Sequence, residues 1–283
     1  MGSRPESVAP PELFYDDVTA RKYTSNSRII KIQTSMTERA LELLNLPKNG
    51  APKLLLDIGC GSGLSGETIT ESGHHWVGLD ISPSMLDIAL EREVEGDLLL
   101  SDMGQGLGFR FGTFDGAIGI STIQWLCNAD KSSHNPRLRL KAFFTTLYRC
   151  LTNSARAAFQ LYPENMDQCE LIIMAAQEAG FKKPSYVVDY PESSKRKKIF
   201  LFLACGENVP LPKGKEDEDD VSKGEENKRV YIFDRHRPRK KQKNNNSGKG
   251  REWIMRKKEQ QRRRGNVVPQ DTKYTGRKRK SSF

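Results

Sequence analysis

Residues 54–63 read Leu-Leu-Leu-Asp-Ile-Gly-Cys-Gly-Ser-Gly, and this segment restricts the fold more than any other stretch of the chain. Three consecutive leucines cannot alternate between core and water, so they predict a strand covered on both faces, as in a parallel sheet. Gly59, Gly61 and Gly63 then let the backbone turn tightly and approach a ligand where a Cβ would collide with it. A second strand, residues 75–80, ends in Asp80, 23 positions after Asp57. Strand, glycine turn and a second strand closed by an acid are the nucleotide-binding half of an α/β sheet.

The spacing separates two ligands. A dinucleotide site carries G-x-G-x-x-G, with a pyrophosphate at the helix N-terminus. Here the third glycine comes one residue early, and Asp57 stands two residues before the first, a poor neighbour for a pyrophosphate. The pattern suits a ligand with a cationic amine and a sulfonium, and it resembles the class I S-adenosylmethionine-dependent methyltransferases. On that resemblance Asp57 lies near the methionyl end, Gly59, Gly61 and Gly63 let the backbone approach the cofactor, and Asp80 accepts hydrogen bonds from both ribose hydroxyls.

Strand and helix patterns alternate through the rest of the first 205 residues. Helical spacing covers Asp17 to about Leu46, after a Pro-rich and loose stretch over 1–12. Ser82-Pro83 opens a helix running to Arg92, and residues 97–102 and 114–121 read as strands. A helix over 135–150 turns Leu138, Leu140, Phe143, Phe144, Leu147 and Leu151 to its apolar side. A strand over 156–162, a helix over 165–179 and strands over 185–189 and 199–205 follow. The prediction is a seven-stranded doubly wound sheet with N-terminal helices and a basic, largely disordered C-terminal extension. Its last strand is antiparallel, as in the methyltransferase sheet.

Charge divides the chain at the same boundary. Residues 1–205 hold 22 Lys+Arg against 24 Asp+Glu, whereas residues 206–283 hold 24 against 12. The basic character is therefore assigned to the tail, where a Lys/Arg run serves nuclear import or contacts nucleic acid. Trp253, set in a run rich in Lys and Arg to Arg264, suits phosphate contacts on folded RNA. Five cysteines without a C-x-x-C pair or a histidine at ligand spacing predict reduced core thiols and no metal. No run of about 18 apolar residues predicts a membrane span.

In the methyltransferase reading Asp102 and Met103, after the third strand, hold the adenine, with Ile81 and Met85 on its other face. The fourth strand ends at Ser121, beside the cofactor, and leads into Thr122-Ile123-Gln124-Trp125, where a substrate approaches the methyl group. The Asn/Asp-Pro-Pro-aromatic motif that orients a planar amine is missing there, and Cys127 lacks the Pro-Cys context of base C5 methylation. A ring nitrogen with an in-plane lone pair, such as guanine N7, needs neither device. No residue is then required as acid or base; Gln124, Trp125 and Tyr162 position the substrate, Trp125 by stacking on a purine.

Residues 11–15 (Pro-Glu-Leu-Phe-Tyr), 56–61, 78–83, 96–100, Gln124-Trp125-Leu126, 161–165 (Leu-Tyr-Pro-Glu-Asn) and 274–280 (Tyr-Thr-Gly-Arg-Lys-Arg-Lys) together resemble the eukaryotic 18S ribosomal RNA guanine-N7 methyltransferases, the Williams–Beuren region family. The resemblance spans nearly the whole chain. It implies a nuclear and nucleolar enzyme of pre-40S maturation that methylates one guanosine of 18S rRNA and takes part in pre-rRNA processing. It also implies a heterodimer with a small zinc-binding activator subunit. The predicted strand over 97–101 lies at a sheet edge in this fold, so the activator is expected to add a strand there. The expected organisation is an N-terminal helical cap over 1–50, a methyltransferase domain over 51–206 and an RNA-binding, nuclear-targeting extension over 207–283. The alternative is a ribosome-assembly factor in which catalysis is vestigial.

Overall fold

A computed structural model describes residues 4–47, 50–206 and 209–216, together with 255, 258, 262 and 268–271. It divides into two compact units, 1–235 and 236–283.

The first unit is built on one seven-stranded sheet in the order β3-β2-β1-β4-β5-β7-β6. Its strands are β1 (Leu54–Ile58), β2 (His75–Asp80), β3 (Asp97–Leu100), β4 (Phe114–Ile120), β5 (Leu151–Leu161), β6 (Ser185–Asp189) and β7 (Lys198–Ala204). All neighbours are parallel except those of β7, which runs antiparallel to both β5 and β6. Order and direction are those of the class I methyltransferase sheet.

The three leucines behave as a two-faced strand requires. Leu56 and Ile58 join a core with Phe143, Phe144 and Phe159 on one side. Leu55 joins Met36, Leu43, Leu44 and Trp76 on the other. The first core belongs to α6 (Pro136–Cys150) and α7 (Met166–Glu178), the second to α3 (Ser27–Leu44) and α4 (Leu64–Glu71). Helix starts follow capping chemistry: Asn26, Ser82, Asn135 and Asn165 each accept from the first turn of α3, α5 (Pro83–Glu91), α6 and α7.

Trp76 fixes how closely α4 lies on the sheet. The ring is 3% exposed, donates from Nε1 to Thr70 Oγ1 at 3.1 Å, and fills the space that a Cβ on Gly66 or Gly96 would need. A Gly66→Ala substitution gains about 1 kcal/mol of helix propensity but overpacks a rigid ring, which costs about 1–3 kcal/mol. We expect a net loss of stability in urea denaturation; a more stable variant would show that the ring yields.

Three local expectations are corrected. The Pro-rich start is not loose: Pro5–Ser7 forms a 3₁₀ turn and Pro11–Phe14 a short helix, α1. Arg4 anchors it by donating to the carbonyls of Tyr162 and Pro163, each at 3.0 Å. Strand β5 begins at Leu151, five residues before the expected start at Arg156 and directly from the end of α6, so Leu151 belongs to the strand and not to the apolar side of the helix. Leu138 is 63% exposed while its neighbour Arg139 is buried, because Arg139 turns inward to a carboxylate. Asp17–Ser25 (α2) and α3 form the expected N-terminal helices.

In the second unit Met255, Lys258 and Arg262 of the basic run are helical. Lys258 Nζ and Arg262 Nη2 both pair with Asp271 at 2.7 Å. Trp253 and Tyr274 to Lys280 lie outside the described residues. Among the described residues no helix is long and apolar enough to cross a membrane, and no cluster of potential metal ligands occurs.

Candidate functional site

The carboxyl ends of β1, β2, β3 and β4 open into one cavity, closed from outside by the N-terminal segment. This is where an open parallel sheet places its ligand, at the switch in strand order between β1 and β4. Its wall includes eight of the predicted cofactor residues: Gly59, Gly61, Asp80, Ile81, Met85, Asp102, Met103 and Ser121. Trp125 lines it as well.

Local geometry follows from the glycine turn. Gly59, Gly61 and Gly63 all have positive φ, at 70°, 53° and 81°. A Cβ on Gly59 would overlap Thr122 Cγ2, so this glycine is required both by its backbone and by the close approach of the loop after β4. The turn is tied to the end of β2. Gly61 N–H donates to Asp80 Oδ2 at 2.9 Å and Ser82 N–H to Oδ1 at 2.8 Å. Burial raises the Asp80 pKa, against the pull of those backbone donors. Each carboxylate oxygen keeps a lone pair, and Asp80 lines the cavity.

Asp102 is arranged differently. Its Oδ1 accepts from Gly104 N–H at 2.8 Å and from Arg139 Nη2 at 2.6 Å. Its Oδ2 meets only Gln105 Nε2, at 3.5 Å. Arg139 in turn contacts His134 Nδ1 at 2.9 Å. Ser121, at the end of β4, holds a left-handed backbone at φ 61°, fixed by its hydroxyl donating to the buried Gln160 Oε1 at 2.6 Å. Such a non-glycine residue costs energy and persists where the surroundings impose it.

Asp57 does not line the cavity. It is fully buried behind the turn, where Ser65 Oγ donates to Oδ2 at 2.6 Å. Burial pushes its pKa up to about 7, with the nearby Asp80 charge adding to the rise. Gly63 also stands outside the wall, at the start of α4. Neither Gln124 nor Tyr162 reaches it: Gln124 is 3% exposed, and the Tyr162 hydroxyl meets Lys198 Nζ at 3.2 Å. The expected substrate-positioning set is therefore brought together only at Trp125.

The N-terminal segment supplies residues that the sequence reading missed. Glu12, Tyr15, Tyr23 and Gln33 line the cavity, as do Asp130, His134 and Arg139 from the other side. Phe14 and Tyr15 each set their ring centroid 6.2 Å from Trp125. Ser82 Oγ donates to the Tyr15 carbonyl at 2.9 Å, and Lys131 pairs with Glu12 at 3.0 Å. Burial pushes the Tyr15 phenol up to about 12, so it stays protonated. The apolar-aromatic spacing of Leu13-Phe14-Tyr15 was the available signal, masked by the surrounding prolines.

Five buried side-chain atoms lack a partner among the described residues. Two of them, Thr122 Oγ1 and Arg139 Nε, belong to residues of the cavity wall. Unpaired buried polar atoms are rare in native proteins.

Residues 203–281 match the family described as "Methyltransferase involved in Williams-Beuren syndrome", and residues 55–153 the family described as "Methyltransferase domain". An 18S rRNA (guanine-N(7))-methyltransferase of Arabidopsis thaliana is 62% identical over 100% of both chains. A Mus musculus 18S rRNA (guanine-N(7))-methyltransferase is 57% identical over 99% of this chain and 98% of its own. The structure of Haemonchus contortus phosphoethanolamine N-methyltransferase 2 in complex with S-adenosyl-L-methionine has a TM-score of 0.53, covering 73% of this chain and 61% of that one. At 15% identity that likeness is one of fold.

Proposed function

The chain belongs to the 18S rRNA (guanine-N7)-methyltransferase family, and from that premise we propose that its cavity binds S-adenosylmethionine and methylates N7 of a guanosine in 18S rRNA. The observation that carries this reading is the Asp80 carboxylate, held by two backbone N–H groups with a lone pair on each oxygen left for a ligand. A ribose diol presents two matching O–H donors. The rest of the wall fits the same cofactor. Asp102 Oδ2 is left for an exocyclic amine, and Ile81, Met85 and Met103 offer apolar faces to a flat ring. The buried charge of Asp57 favours a cationic methionyl end from behind the turn. When bound, S-adenosylmethionine supplies an electrophilic methyl group.

The protein's own contribution is placement. Guanine N7 carries its lone pair in the ring plane and no proton, so none has to be removed. Trp125, backed by Phe14 and Tyr15, provides an aromatic surface on which an unstacked base is held, a contact worth about 1–3 kcal/mol. Holding donor and acceptor in line contributes up to about 7–11 kcal/mol to barrier lowering. Tyr15, protonated at neutral pH, is no base.

In the same reading the protein works on the pre-40S particle in the nucleus and nucleolus, paired with the small zinc-binding activator. Support for the pairing comes from β3, an edge strand whose Leu99 and Leu100 are 42% and 59% exposed. Such an edge is covered by a partner strand or invites aggregation.

The test is mapping of N7-methylguanosine in small-subunit RNA from cells with and without this protein, by chemical strand scission or mass spectrometry. We expect one modified guanosine to disappear with the protein and to return with the unaltered chain. An unchanged modification profile overturns the assignment.

A further inference from the structure

Adenine carries the same in-plane N7 lone pair as guanine, so a cavity that only aligned N7 with a methyl donor would take either purine. The two bases differ at the opposite edge, where guanine offers N1–H and an N2 amine as donors and adenine a bare N1 acceptor. An extruded base is read at that edge. We propose that Asp130 selects guanine, its carboxylate accepting from N1–H and the N2 amine of a base stacked on Trp125. The proposal rests on the rRNA reading above and adds to it the group that chooses the base.

Position is the first support. Asp130 lines the cavity together with Trp125, which stands five positions earlier in the chain. The N-terminal segment holds the connection between and beyond them. Asn128 Nδ2 donates to the Glu6 carbonyl at 3.1 Å, and Lys131 pairs with Glu12 at 3.0 Å. Glu12 belongs to α1, whose Phe14 backs Trp125. One short helix therefore spans the stacking platform and the neighbour of the carboxylate.

The second support is that Asp130 is uncommitted. Among the described residues it has no hydrogen bond or ion pair, although Arg139, His134 and Lys131 stand near enough to act on its charge. Those neighbours are engaged with other groups. Arg139 gives Nη2 to Asp102 and Nη1 to His134 Nδ1, and Lys131 holds Glu12. Burial raises the Asp130 pKa more than the nearby cations lower it. This is a carboxylate short of donors, and a guanine edge brings two.

The chemistry of the transfer supplies the third. The N7 lone pair forms the bond to the methyl carbon while the C–S bond breaks and its electron pair stays on sulfur. The sulfonium becomes a neutral thioether, the purine takes the positive charge, and no proton moves. As that charge develops, N1–H and the N2 amine become stronger donors. A carboxylate bound to them is held more tightly in the transition state than in the ground state, so it raises the rate as well as choosing the base. Adenine in the same pose would set its N1 lone pair against the carboxylate.

The experiment uses the full chain, purified with the activator proposed above, and two forms of an 18S rRNA fragment. One carries the target guanosine, the other inosine in its place, which keeps N7, O6 and N1–H and lacks only the N2 amine. We expect the unaltered protein to methylate the inosine form with a kcat/KM about 10–100-fold lower. Asp130→Ala should lower kcat/KM on guanosine about 100-fold and bring the two forms within about threefold of each other. Melting temperature and calorimetric affinity for S-adenosylmethionine stay at the unaltered values. A variant that keeps the guanosine preference overturns the assignment, as do equal rates of the unaltered protein on both forms. A rate loss matched by lost cofactor affinity overturns it too, because Asp130 then serves the cofactor. Each of those results leaves the enzymatic reading standing. If the unaltered protein methylates neither form, the functional reading falls and takes the base selection with it.

Discussion

Asp80→Asn is expected to weaken S-adenosylmethionine binding by on the order of 100- to 1000-fold while leaving the protein folded. Each hydrogen bond to a charged group contributes about 1.5–3 kcal/mol, and each 1.4 kcal/mol is a factor of ten in affinity. The carboxylate is asked to serve two backbone donors and two ligand hydroxyls at once. An asparagine amide has one oxygen. Whichever way it turns, its NH₂ faces the N–H of Gly61 or of Ser82, donor against donor, and the glycine turn must shift. Overall stability should change little, because removing a charge that burial disfavours offsets the lost backbone bonds. Calorimetric titration with cofactor and a thermal melt read the two effects separately. An affinity within threefold of the unaltered protein would show that Asp80 does not hold the ribose.

That residue also marks how far the sequence alone could reach. Asp80 was legible because a strand-ending acid at a fixed distance from a glycine turn is a local pattern with one geometric meaning. The same holds for the sheet: Leu55 and Leu56 packing into opposite cores is what three consecutive leucines require. Residues brought to the site from distant chain were not legible. Arg139 reads as one more charge on an amphipathic helix until Asp102 is folded against it, 2.6 Å away. The N-terminal segment, rich in proline, carries no periodicity, and its order comes from contacts such as Arg4 with the Tyr162 carbonyl, 158 residues later. Gln124 and Tyr162 stand in the right loops, yet the side chains turn elsewhere, and a spacing pattern carries no information on rotamers.

Asp57→Asn should change how stability depends on pH. The Asp57 carboxyl titrates at about 7 in the folded protein against an ordinary 3.8, because burial disfavours its charged form more than the Ser65 hydroxyl favours it. The folded state thus holds the proton more tightly than the unfolded chain. The stability tied to that protonation is fully present below about pH 4 and is lost as pH rises through 7, a change on the order of 4 kcal/mol at most. An asparagine titrates nowhere in this range. The difference in unfolding free energy between variant and unaltered protein should therefore grow in the variant's favour, by about 2–4 kcal/mol between pH 4 and pH 8. Groups common to both proteins cancel in that difference. Urea denaturation at stepped pH measures it, and parallel curves would show that Asp57 is ionised at an ordinary pKa. A ligand that carries positive charge above the Gly59–Gly61 turn draws out the ionised form. Binding of S-adenosylmethionine by the unaltered protein should accordingly tighten from pH 6 to 8 relative to the asparagine variant, because the ligand's own amine titrates alike in both. The buried acid then lowers the stability of the empty fold at neutral pH and regains part of that cost when a cation is bound, linking the Leu-Leu-Leu-Asp strand directly to its ligand.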